Sequence, residues 1–317
     1  FGVYYSQLDW HHPAQENNPQ REGRHAYRFN SMRPGMKDQY IHDMKTQLQE
    51  LIVDYGVEVI FFDGEWVPWW TQEDGRDLLR YVRGLNPAII VNNRIGKRKR
   101  EDGDYGTPEQ RIPPAGLGYD WETCMTMNGT WGYKSYDHNW KSPTDLIQKL
   151  VDINSKGGNF LLNVGPTGAG IIPAASVQRL EEMGKWLRIN GESLYGTRLW
   201  NPQAKYDPKT EAAAFGPGPE ERPETEANPP ANTKTSGIRY TLKGNTLYAI
   251  FLSWPSNGIV TFKELAAGRT AQEIGTVSLL GSPEDVTWSR NQAGLIVRLP
   301  STPPCEHAFV LRVTAAQ

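Results

Sequence analysis

The residues with the most chemical promise are three carboxylates and an arginine. Asp63 closes the apolar run Val57–Asp63 (VEVIFFD) and is followed by Gly64-Glu65-Trp66. A carboxylate at the C-terminal end of a buried parallel strand faces the side of an α/β sheet where active sites gather. The same residue can instead cap the next helix or pair with an arginine. A second apolar run, Ala88–Asn92, leads into Asn93-Arg94, whose guanidinium can keep a carboxylate ionised, bind a hydroxyl, or form a plain ion pair. Glu109 lies in the Gly- and Pro-containing loop GDYGTPEQRI, and Glu122 follows Trp121 on a short strand candidate. Two carboxyl groups flanking a bond are what glycoside hydrolysis requires, one attacking or activating water and one donating a proton. Asp63 with Glu109, or Asp63 with Glu122, satisfies that requirement, and spacing does not choose between them.

Other chemistries fit less well. His11 and His12 are adjacent, and His25, His42 and His138 stand apart, without HxxxH or HExxH spacing, so no metal site is expected. Ser6 and Ser155 lack the GxSxG elbow of serine hydrolases. Cys124 and Cys305 form no framework or CxxC pair. No strand is followed by GxGxxG or a P-loop, and no cofactor is expected. With 34 basic and 36 acidic residues the charges nearly cancel, which argues against nucleic acid as partner. The one basic run, Lys97–Arg100, is followed at once by Glu101, Asp102 and Asp104 and reads as a solvated loop. No apolar stretch approaches a membrane span. Eleven Trp and fourteen Tyr are a heavy aromatic load, suited to sugar faces but equally to cores.

Alternating strands and helices must position these groups. Strand candidates are Phe1–Ser6, Val57–Asp63, Ala88–Asn92, Tyr119–Thr123 and Asn159–Val164; helices are expected over Lys37–Tyr55, Asp74–Leu85, Pro143–Ser155 and Ala174–Asn190. This order implies a parallel sheet, either doubly wound or a (β/α)8 barrel. Residues 206–236, rich in Pro, Glu and Gly, read as a linker or surface loop. Beyond it the period becomes two, which predicts an antiparallel β-sandwich over 237–317.

Seven segments in order resemble glycoside hydrolase family 29, the α-L-fucosidases: GVYYSQLDW (2–10), VIFFDGEW (59–66), VNNRIG (91–96), DYGTPEQ (104–110), DWETC with TWGY (120–133), SKGGNFLLNVGPTGAGIIP (155–173) and LRINGESLYGT (187–197). The resemblance implies a (β/α)8 barrel over 1–205 followed by the sandwich. It implies exo-hydrolysis of terminal α-L-fucose with retention, Asp63 as nucleophile and Glu109 as general acid/base. Glu122 is a second candidate for that role or orders the site. Arg94, Trp131 and Tyr4, or else Tyr5, would line the fucose pocket. The partner would be a fucosylated oligosaccharide or glycoconjugate, in an extracellular, periplasmic or lysosomal setting. Family members also carry an early His-Trp pair and a KHHDGF segment, which have no counterpart here. Five strands are three short of a closed barrel, and an open sheet exposes two edges. The expectation is an N-terminally incomplete barrel whose missing strands come from a companion chain, a homo-oligomer or an absent segment; otherwise the chain would be a sugar-binding protein without catalysis.

Overall fold

The computed structural model describes residues 1–16, 31–200, 237–270 and 273–316. The segment 206–236 and His25 lie outside the described residues. Two compact units are present. The first holds Phe1–Glu109 and Tyr119–Glu122; the second holds Gln110–Gly118 and the described residues from Thr123 onward.

The first unit is built on parallel strands β1 (Gly2–Ser6), β4 (Val59–Asp63) and β5 (Ile90–Val91), in the order β1-β4-β5. A small antiparallel pair, β2 (Gln15–Glu16) and β3 (Ser31–Met32), lies between β1 and helix α1 (Lys37–Gln49) in the chain. Side chains alternate along a strand. Ile60 and Phe62 therefore point to one face, where they are fully buried with Tyr40, Met44 and Leu48 of α1 and Leu78 and Val82 of α2 (Gln72–Leu85). Burying one such Phe contributes about 2–3 kcal/mol. Phe61 and Asp63 point to the other face. The register Tyr4↔Phe61 and Ser6↔Asp63 puts Tyr4 beside them.

Helix α2 starts with a capping box in which Thr71 Oγ1 accepts from the Asp74 N–H and Asp74 Oδ2 accepts from the Thr71 N–H. A Cβ at Gly75 would stand 2.5 Å from the Ile95 carbonyl oxygen, so only glycine lets α2 lie against the turn after β5.

Several elements differ from the sequence expectation; β4 begins two residues later than expected and α2 two residues earlier. The helix expected through Tyr55 is α-helical to Gln49 and then widens into a π-helical turn, Glu50–Asp54, before Gly56 at φ +67° ends it. Strand β5 is two residues long rather than five. Upstream, Asn86 Oδ1 accepts from the Ala88 N–H at 3.0 Å and turns the chain. Downstream, the Asn92 side chain takes the place of a strand partner, accepting from the Phe62 N–H and donating to the Phe62 carbonyl, both at 2.9 Å. The strand expected over Tyr119–Thr123 is β6, Trp121–Thr126.

Two parallel bridges, Asn92↔Tyr105 and Gly106↔Trp121, carry the sheet beyond β5 to the start of β6. Parallel pairing thus runs from β1 through β4, β5 and Tyr105-Gly106 to β6.

In the second unit, β6 pairs with β7 (Gly158–Asn163), and helices α3 (Pro143–Ser155) and α4 (Ala174–Asn190) follow the expected bounds. Helix α3 is capped by Ser142, which accepts from the Asp145 N–H at 3.1 Å. Strand β8 (Arg198–Leu199) joins β9 (Ile238–Lys243), β10 (Thr246–Phe251), β12 (Ile274–Leu279) and β15 (Phe309–Ala315) in a five-stranded sheet. The strands β11 (Ile259–Phe262), β13 (Thr287–Asn291) and β14 (Gly294–Arg298) form a second sheet.

Leu247, Ala249 and Phe251 of β10 share a core with Phe262, Leu295 and Val297 of the second sheet, which makes a sandwich. Tyr248 and Ile250 point the other way, against Leu146, Ile147 and Trp186 of the helices. Both faces of β10 are therefore covered, and its apolar run is continuous. Strand β13 is mostly exposed and lacks a buried alternation.

Replacing Asn92 by Leu is expected to cost about 2–4 kcal/mol of unfolding free energy, because two buried backbone groups of Phe62 lose their partner. Urea denaturation measures it. A loss under about 0.5 kcal/mol would mean that the Asn92 amide does not hold the strand.

Candidate active site

Successive segments contribute residues, those before β6 at or just beyond their C-terminal ends. Strand β4 ends in Asp63. The turn after β5 carries Arg94, and the chain after Tyr105-Gly106 carries Thr107 and Glu109. Strand β6 opens with Trp121-Glu122. Arg94 is 3% exposed and is the hub. Its Nη1 donates to Asp63 Oδ1 at 2.5 Å, its Nη2 to Glu109 Oε2 at 3.0 Å, and its Nε to Thr107 Oγ1 at 2.9 Å. Thr107 in turn donates to Asn93 Oδ1 at 3.0 Å. The guanidinium carbon lies 5.1 Å from the Phe61 ring centre, a stacking that fixes the plane of the fork.

The other Asp63 oxygen accepts from Tyr4 Oη at 2.6 Å. Although the Tyr4 ring is 63% exposed, its hydroxyl is turned to the carboxylate. Loss of water around that hydroxyl, and then the negative charge of Asp63, raise the phenol well above its ordinary range. Tyr4 is thus a hydrogen-bond donor to Asp63 throughout the neutral range. Tyr5, left as an alternative by the sequence, points to the opposite face and donates to Gln47 Oε1 at 2.6 Å.

Glu122 is half-buried and joins none of these contacts; burial raises its carboxyl above the usual range. Trp131 belongs to the second unit, where it is 40% exposed and its carbonyl accepts from the Asn163 amide at 2.7 Å.

A cleft of about 380 Å³ opens beside Asp63 and Tyr4, lined further by Ser6, Leu8, Asp9, Trp10, His11 and Trp66. His11 therefore faces the cleft. His12 does not, since its Nε2 pairs with Asp43 at 3.0 Å and its Nδ1 accepts from the Ala14 N–H at 3.0 Å. Among the described residues no three His, Cys, Asp or Glu side chains converge as metal ligands would. No helix among them is long and apolar enough to cross a membrane.

The basic run is not a solvated loop throughout. Arg98, at φ +59°, pairs with the buried Glu65, and Lys97 donates to the Glu65 carbonyl. Burial raises the Glu65 carboxyl, and Arg98 opposes it. This ion pair anchors the loop that follows the Asp63 strand.

Sequence reasoning missed Thr107, Asn92 and the cleft-lining segment Asp9-Trp10-His11. For Thr107 the signal was weak, one hydroxyl two residues before Glu109. For Asn92 it was an amide ending an apolar run.

The alpha-L-fucosidase family profile matches residues 1–192, and the profile of the alpha-L-fucosidase C-terminal domain matches 231–314. The chain belongs to the alpha-L-fucosidase family. The tissue alpha-L-fucosidase of Homo sapiens is 30% identical over 333 aligned residues, which take in all of this chain and 62% of that protein. This chain therefore spans under two thirds of the length of such fucosidase relatives. Alpha-L-fucosidase isoenzyme 1 from Paenibacillus thiaminolyticus superposes with a TM-score of 0.76 at 30% identity, covering 99% of this chain and 71% of that one. The Thermotoga maritima alpha-fucosidase in complex with fucose gives 0.70 at 26% identity, covering 99% of this chain and 64% of that one.

Two outcomes follow from the geometry. Arg94→Met leaves Asp63 and Glu109 without their shared cation and is expected to lower unfolding free energy by about 3 kcal/mol, read by urea denaturation. Tyr4 is held neutral by an adjacent anion. In an ultraviolet titration the Tyr4→Phe variant is therefore expected to lose no phenolate signal below about pH 11, where ordinary tyrosines ionise near 10. A lost ionisation step near pH 10 contradicts the Tyr4–Asp63 bond.

Proposed function

We propose that this protein is a retaining exo-α-L-fucosidase that hydrolyses terminal α-L-fucose from glycans by double displacement. The observation that carries the reading is the shared guanidinium. Arg94 holds Asp63, at the end of its strand, and Glu109, on the neighbouring loop, at one side of the sheet. Double displacement uses two carboxyl groups roughly 5 Å apart, and a common cation keeps them close. The parallel pairing from β1 to β6 supports a (β/α)8 barrel as the frame. Relatives named alpha-L-fucosidase, and a Thermotoga maritima relative described in complex with fucose, support the substrate class.

In this reading Asp63 attacks the anomeric carbon. Its Oδ1 is held by Arg94 and its Oδ2 by Tyr4, which aims the carboxylate. The departing glycosidic oxygen takes a proton from Glu109, and a fucosyl ester forms on Asp63. Water then attacks that ester as Glu109, now a carboxylate, removes its proton, and fucose leaves with its anomeric configuration retained. A specific observation supports Glu122 as the alternative donor: burial raises its carboxyl, which suits a group that must arrive protonated.

Hydrolysis of an aryl α-L-fucoside with azide present separates these roles. Asp63→Gly is expected to lose at least about 10³-fold in kcat and to recover with azide, giving the β-fucosyl azide. The acid/base variant, Glu109→Gln or Glu122→Gln, is expected to give the α-fucosyl azide, because the fucosyl ester still forms. A parent chain that binds fucose but hydrolyses no fucoside would replace this reading with that of a carbohydrate-binding protein.

A further inference from the structure

Gln7 lies just past the end of β1, is fully buried, and is not itself one of the residues that line the cleft. A buried amide in an otherwise apolar setting is costly unless its hydrogen bonds are made. Here Nε2 donates to two carbonyls of one turn, Arg94 at 3.0 Å and Ile95 at 3.3 Å. The backbone of the same residue reaches the other half of the charged pair: the Gln7 N–H donates to the Asp63 carbonyl at 2.7 Å. Its own carbonyl accepts from the Tyr40 hydroxyl at 2.9 Å, which ties the assembly to helix α1.

The chain leaving Asp63 is pressed against this residue. Gly64 has φ +108°, and a Cβ there would stand 3.2 Å from Leu8 Cγ and 3.4 Å from the Gln7 Cβ and N. Gln7 Oε1 is buried with no hydrogen-bond partner among the described residues. The side chain thus leaves its acceptor unsatisfied while its donor spans the Arg94 turn.

We propose that Gln7 is a positioning residue for the Asp63–Arg94 pair. Its amide fixes the 94–95 backbone relative to the end of β4, and so sets the reach of the guanidinium to Asp63. A fork that binds through three nitrogens tolerates little displacement of its backbone anchor. Hydrophobic packing alone, as an apolar residue of equal length would supply, leaves the Arg94 and Ile95 carbonyls without that donor. The catalytic consequence rests on the fucosidase reading above; the positioning of Arg94 does not.

The test uses the whole chain and the variant Gln7→Met, which keeps length and volume and removes the donor. The first readout is solvent exchange of the Arg94 Nε–H by NMR, a proton bonded to Thr107 and assigned by its disappearance in Arg94→Lys. Exchange is expected to rise at least about tenfold in Gln7→Met. The second readout is aryl α-L-fucoside hydrolysis, in which kcat is expected to fall at least about tenfold with KM within about threefold, since Gln7 does not reach the sugar. Should Gln7→Met not fold, Gln7→Asn, whose amide is one methylene too short, is read in the same two ways.

A folded variant with a lowered melting temperature but unchanged Arg94 exchange has lost only stability, and that result overturns the proposal. Lost protection with unaltered kcat in an active parent supports the positioning of Arg94 and overturns its catalytic consequence. A parent without fucosidase activity refutes the functional reading alone, because the exchange measurement still decides whether Gln7 holds Arg94.

Discussion

The arrangement depends on one buried cation. Arg94 has almost no exposure, and a guanidinium withdrawn from water must have its charge and its donors answered by protein. Asp63, Glu109 and Thr107 answer them from two different segments of the sheet. The two carboxylates would repel one another without it. The same ion pairs that make burial of Arg94 tolerable therefore also hold two acids close together, of which Asp63 lines the cleft. Removing either sign leaves the other uncompensated, which is why such a cluster is either kept whole or lost whole.

The fold supplies what this cluster requires, namely parallel strands ending on one side. Parallel pairing puts the C-terminal ends of β1, β4 and β5 at the same edge, and the bridges Asn92↔Tyr105 and Gly106↔Trp121 bring the segments that carry residues 109 and 122, distant in sequence, alongside. The rear face of the sheet is closed by α1 and α2, whose packing holds β1 and β4 in register. Rigidity at the front comes from polar contacts: the Asn92 amide beside Phe62, the Gln7 amide under Arg94, and the Glu65–Arg98 pair behind Asp63. The first two serve the backbone of a neighbouring residue that bears on the site, and the third joins two side chains. Side chains of this kind specify position more than they add stability.

The second unit follows a different logic. Its five-stranded sheet is covered on both faces, by the second sheet on one side and by α3 and α4 on the other. A strand such as β10 then has no polar face to show, and its continuous apolar run reports burial, not parallel topology. Strand β13, Thr287–Asn291, is largely bare, including Trp288, and shows no buried alternation.

Much of this was already written in the residue order. Helix α3 starts where expected because Ser142-Pro143 is a local signal that operates without tertiary help, whereas Gly191 after α4 is itself helical and continues into a 3-10 turn. Asp63 and Arg94 were recognisable because a charge ending an apolar run is rare and has few uses. The tertiary structure decided the partnerships. That Tyr4 and not Tyr5 meets Asp63 follows from strand register, because a shift of one residue reverses every side chain. That Asn92 substitutes for a strand partner, that Arg98 is half-withdrawn from water, and that Gln7 reaches residues 94 and 95 are contacts between segments dozens of residues apart. Local spacing carries no information on them. They are fixed by where the sheet, its helices and its turns converge, since a hydrogen bond depends on distance in space and not on distance along the chain.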